Sequence, residues 1–150
     1  MNKLYEQDYY GWANEQAALL RAGNLGAADI ENIAEEIESM GKGEKRELVN
    51  RLIVLLQHLL KWQYQPEMRG RSWEATVLVQ RDQIASHLQD NPSLKSKIPE
   101  AMRDAFRIAR LQAIGETKLP RGTFSMECPY TFDLAMRGDF WPETVPGAGE

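Results

Sequence analysis

"EKRELVNRLIVLLQHLLKWQY", residues 44–64, is the stretch from which the fold follows. Val49, Leu52, Ile53, Leu55, Leu56, Leu59 and Leu60 recur at helical spacing, and Val54 and Trp62 widen the stripe. Strand-like alternation is absent from it. An apolar surface that broad must be covered on more than one side, which makes this segment the central helix of a bundle.

The flanking chain supplies the covering helices. Asp8 is placed to cap a helix carrying Tyr9, Trp12, Gln16, Leu19 and Leu20, with Gly23 as its stop. A second helix is expected from Asp29, with Ile30, Ile33, Ala34, Ile37 and Met40 on one face, ending at Gly41 and Gly43. After the central helix, Ser72 is the expected N-cap of a helix with Trp73, Val77, Ile84 and Leu88 along one side, closed by Asp90-Asn91-Pro92. Pro99 suits the first turn of another, striped by Met102, Ala105, Phe106, Ala109 and Ala113 and weakened at Gly115. Beyond it the chain is turn-rich, with one short helix after Thr131. The expected fold is all-α: an up-down bundle of four to five helices with an irregular C-terminal segment. One domain is expected over residues 1–143, with 144–150 as a disordered tail.

At 150 residues the chain is long enough for a core without disulfide or metal staples. Its net charge of -4 gives no general attraction to nucleic acid. No apolar run approaches the ~20 residues of a membrane span, and the start "MNKLYEQDYYGW" lacks the apolar centre of a secretory signal. Cys128 is the single cysteine, so no internal disulfide can form, and the expected location is the cytoplasm.

The segments "DIENIAEEIESMGKGEKRELVNRLIVLLQHLLKWQYQP", "RSWEAT", "QRDQI", "NPSL" and "ECPYTFD" follow one another in an order that resembles the bacterial domain-of-unknown-function family number twenty-nine, DUF29. The resemblance runs from Tyr5 to Glu143, and "HLLKW" followed by "SW" and "CPYT" is its most specific part. Asn50 stands where the family pattern suggests serine, and Ser125 where a proline often precedes the last motif. The resemblance implies a small all-helical protein. It implies no catalytic residue, because the family carries no established activity.

The densest chemistry lies at "HLLKWQYQPEMRGRSW", residues 58–73. His58 and Trp62 share a helix face with Lys61 beside them, and Trp73 returns across the turn. With Arg81 and an acid such as Glu36 they could hold a small anionic ligand. Aromatic rings closing the end of a bundle under cationic side chains account for the same residues. No metal is expected: a di-iron bundle needs Glu-x-x-His pairs, and Leu55 and Ile84 occupy the positions three before His58 and His87. A hairpin turning near residue 68 puts His58 opposite residue 78 and His87 opposite residue 49, separating the histidines by roughly 13 Å. No cofactor motif is present: "GKGEK" has the spacing of neither a phosphate loop nor a dinucleotide fold.

Two charged surfaces complete the candidates. Glu35 points away from the apolar stripe of its helix, while Asp29 and Glu36 occupy one shoulder and Glu31 and Glu38 the other, where neighbouring helices can be met. Arg103, Arg107 and Arg110 recur at i, i+4 and i+7, and from Lys95 to Arg121 seven basic residues stand against three acidic. That stripe could take an anion or nucleic acid, although the aromatic interleaving of a nucleic-acid surface is missing. The function expected on these grounds is non-enzymatic, exercised through protein contacts as a homo-oligomer or adaptor. A ligand-binding or metal-assisted enzyme centred on His58 is the alternative, and a nucleic-acid-associated regulator the second.

Overall fold

The structure is a computed structural model and describes residues 3–144. The tail expected over 144–150 lies, beyond Thr144, outside the described residues. Every regular element among the described residues is helical: α1 Lys3–Gln7, α2 Tyr9–Arg21, α3 Ile30–Tyr64, α4 Arg71–Asp90, α5 Ile98–Thr117 and α6 Phe132–Met136, with 3-10 segments Pro66–Met68, Pro92–Lys97 and Arg121–Thr123 in the connections after α3, α4 and α5. This is the all-α bundle the apolar periodicity predicts. The chain divides into two compact units, Met1–Gly43 and Glu44–Glu150.

The first unit is organised by Trp12. Asp8 caps α2, its Oδ1 accepting from the Gly11 N–H at 3.0 Å. One turn on, Trp12 is buried beneath the rings of Tyr5 and Tyr9. Its indole N–H donates to the Asp29 carboxylate at 2.9 Å, and Gln16 Oε1 accepts the Asp29 N–H at 2.7 Å. Two residues of α2 therefore bind the residue that opens α3. The chain leaves α2 through Gly23, whose φ of +74° favours glycine.

The second unit is built on the C-terminal two-thirds of α3. Leu48, Leu52, Leu55, Leu56 and Leu59 are fully buried and share one core with Val77 and Ile84 of α4. From α5 the core takes Ala101, Ala105, Ala109 and Ala113, side chains small enough to let helices approach closely. The irregular C-terminal segment belongs to this core: Phe124 stacks on Tyr64 at 4.7 Å, and Tyr130 and Ala135 are buried.

Two expected boundaries need correction. The second and third helices are one continuous α3, because Gly41 and Gly43 keep helical backbone and stand among good helix formers. Glycine weakens a helix by about 1 kcal/mol but stops it only where the chain turns to positive φ. The N-cap of α4 is Gly70 rather than Ser72, and Ser72 spends its carbonyl on the Thr76 hydroxyl inside the helix. At the other end of the second unit, α5 passes Gly115 and stops at Lys118, the one non-glycine described residue with positive φ (60°).

Candidate functional site

Along α5 the second unit carries a groove of ≈ 820 Å³. Ile98, Met102, Phe106 and Leu111 line it from the helix, and the segment from Met126 to Phe132 forms the facing wall. On α5 the alanine edge and the Met102–Phe106 edge are buried in the core, so Met102 and Phe106 form the groove's floor while Leu111 stays uncovered at its margin. Leu111 is 56 % exposed and Met126 78 %, so large apolar side chains face solvent at its margin. Cys128 lies within it as a half-buried thiol donating to the Tyr130 carbonyl at 3.2 Å. Burial raises its pKa, the opposite of what a nucleophile requires.

Arg103, Arg107 and Arg110 all border this groove. The sequence shows their i, i+4, i+7 spacing; the structure puts them around one groove with Met102 and Phe106. They are not equivalent. Arg110 is bound to the facing wall, its guanidinium donating to the carbonyls of Arg121, Phe124 and Ser125 at 3.0–3.3 Å. Arg103 and Arg107 are exposed and have neither an ion pair nor a hydrogen bond among the described residues. One arginine holds the groove's shape, while the other two border it with their guanidinium groups in solvent.

The residues of the helix joint separate into two packed clusters. In the first, Lys61 lies 4.8 Å over the Trp73 ring and pairs with Glu116 at 2.8 Å. Here His58 meets the same ring edge-on at 6.5 Å while its Nδ1–H donates to the Val54 carbonyl at 2.8 Å. Burial holds His58 below its ordinary pKa, so the ring is neutral. In the second cluster Trp62 packs on Trp141 at 4.3 Å, not on Trp73, and the Arg69 guanidinium lies 5.1 Å over the Trp62 ring. Arg81, also beside Trp141, donates to the carbonyls of Ala135 and Phe140 at 2.8 and 2.7 Å and so ties the C-terminal segment to α4. Of its atoms only Nη1 lacks a hydrogen bond.

Glu36 has a different setting from His58. It accepts from the Tyr5 and Tyr9 hydroxyls within the first unit, the latter at 2.6 Å. Those two hydrogen bonds lower its pKa, and the same contact pushes Tyr5 up to about 12. The shoulder positions Asp29 and Glu36 do meet neighbouring helices, but through an indole and two phenols rather than through cations.

One cluster escaped sequence reasoning. His87, buried on α4, has Nδ1 2.8 Å from Glu47 Oε2 and Nε2 2.8 Å from the Glu44 carbonyl oxygen, with Glu44 Oε2 at 3.6 Å. The Glu44 carbonyl can only accept, so Nε2 carries a proton there and Nδ1 faces the Glu47 carboxylate. The ring bridges α3 and α4, and Glu44, Glu47 and His87 bring two carboxylate oxygens and a ring nitrogen within 4.8 Å of one another. The signal was available, since the hairpin register puts His87 opposite residue 49 and Glu44 and Glu47 share that helix face.

A family model described as "Domain of unknown function DUF29" matches residues 4–141. No curated protein and no solved structure matches the chain.

Proposed function

The chain belongs to the DUF29 family, and we propose that it acts as a non-enzymatic binding module whose α5 groove takes an amphipathic, acidic segment of protein. What supports this function is the pairing of Arg103 and Arg107, both exposed and without a hydrogen bond or ion pair among the described residues, with the exposed apolar margin formed by Leu111 and Met126. An amphipathic helix laid in such a groove buries its apolar side on Leu111 and Met126, above a floor of Met102 and Phe106, and brings its carboxylates to the arginines. Catalysis finds less support: His58, Lys61 and Arg81 are engaged by the protein's own groups, and the Cys128 thiol is held protonated.

The test is fluorescence anisotropy with a labelled synthetic helix carrying leucines on one face and glutamates beside them. Binding in the range of about 1–100 μM is expected, lost in the R103E/R107E variant and weakened by Leu111→Asp. A labelled DNA duplex in the same assay separates the two uses of the arginines. Tight duplex binding with a steep salt dependence, together with no response to the peptide, would replace this function by a nucleic-acid one.

A further inference from the structure

The first part of α3 presents a surface matched to the groove. Ile30, Ile37 and Met40 are 50 %, 62 % and 70 % exposed, an unusual density of solvent-facing apolar side chains on eleven residues of helix. Glu31 and Glu38 are exposed beside Ile30 and Ile37, and Glu35 is exposed farther round the helix, none of them with an ion pair or hydrogen bond among the described residues. Their spacing is i, i+4 and i+7, the same as that of Arg103, Arg107 and Arg110. The local pattern repeats as well. Ile30-Glu31 and Ile37-Glu38 place a charge about 100° round the helix from an apolar neighbour, as Met102-Arg103 and Phe106-Arg107 do. Within its own unit α3 uses another side, where Asp29 binds Trp12 and Glu36 binds Tyr5 and Tyr9, so the Ile30–Glu38 face is left without a covering element in that unit.

Resting on the groove as the binding site, we infer that its occupant is the Ile30–Met40 face of a second copy of this chain. Ile30 to Met40 spans about 15 Å of helix and Met102 to Leu111 about 13.5 Å, so the two surfaces agree in length as well as in charge. Each copy carries one acidic face and one arginine groove. The pair so inferred is reciprocal, each copy's acidic face in the other's groove, with two equivalent contacts.

Sedimentation velocity over a concentration series tests this with two charge-reversed proteins, E31R/E38R and R103E/R107E. All four positions are exposed, and circular dichroism checks that each variant remains folded. The wild type is expected to sediment as a dimer. Each variant alone sets like charges against each other, and its dimer dissociation constant rises at least about tenfold. An equimolar mixture restores the dimer, because one contact then carries reversed charges on both sides and the other is native. The quadruple variant dimerises by itself for the same reason. A wild-type monomer at all concentrations overturns the inference, as does a dimer indifferent to both variants. If that monomer still binds the synthetic acidic helix through Arg103 and Arg107, the groove function survives without the second copy. If it does not, both fail.

Discussion

Lys61 reaches the Glu116 carboxylate at 2.8 Å across 55 residues of sequence, with its side chain 10 % exposed and that of Glu116 53 % exposed. The pair joins the last turn of α3 to the last turn of α5, and the ammonium also lies 4.8 Å over the Trp73 ring. The hydrogen bond from Lys61 is the leading cause that lowers the Glu116 pKa beneath its ordinary 4.5. A depressed carboxylate contributes stability above its unfolded pKa and loses it as pH falls through the folded value. Because Glu116 is half in solvent, Glu116→Gln should cost no more than about 1 kcal/mol at neutral pH. Thermal melts of wild type and variant should therefore differ at pH 7 and draw together as pH falls below 4.5; a gap that does not narrow with falling pH would assign the loss to packing instead.

His58 carries the opposite kind of pH dependence. Burial is the leading cause that takes it below its ordinary 6.5, outweighing the Val54 carbonyl that favours a proton on the ring. The unfolded chain therefore takes up its proton first. The stability associated with the neutral ring is complete above pH 6.5 and declines as pH falls towards the lowered folded value. Wild type should lose more stability between pH 7 and pH 5 than His58→Leu does, measured by urea unfolding. Equal losses would mean that the ring titrates like a free histidine.

How much of this was legible in the sequence depends on how local the cause is. The apolar rows of α3, α4 and α5, the Asp8 cap and the Thr131 cap of α6 rest on residues within a few positions of each other, and all are visible in the chain. The Trp62–Trp141 stack and the Arg81 bonds to Ala135 and Phe140 are not, because they depend on how an irregular segment returns to the bundle. The groove was half legible. The i, i+4, i+7 arginines stood out, but its facing wall is the turn-rich stretch around Met126, whose path no periodicity encodes.

Gly41 and Gly43 show where a local signal misled. Both lie inside α3 with helical backbone and open space around the position of a Cβ. Alanine at either site removes backbone freedom from the unfolded chain without strain in the folded one. Each substitution should stabilise the protein by about 0.5–1 kcal/mol, read as a higher midpoint in urea. A loss of stability would show that a break or bend at these glycines is part of the working molecule.

Arg110 and its two neighbours differ in what they bind, and stability measurements separate them. The Arg110 guanidinium is shared among three backbone carbonyls of the groove's facing wall, at distances from 3.0 to 3.3 Å. Arg110→Ala leaves those carbonyls without their donor and should cost about 1–3 kcal/mol. It should also loosen the segment from Arg121 to Met126, which hydrogen exchange would report as faster exchange there. Arg103→Ala and Arg107→Ala, removing exposed side chains that hold nothing within the described residues, should stay within about 0.5 kcal/mol of wild type. Lys in place of Arg110 cannot span the same carbonyls with a planar fork and should recover only part of the loss. If all three alanine variants were equally stable, Arg110 would not be the residue that shapes the groove, and the facing wall would be held by Phe124 and Tyr130 packing alone.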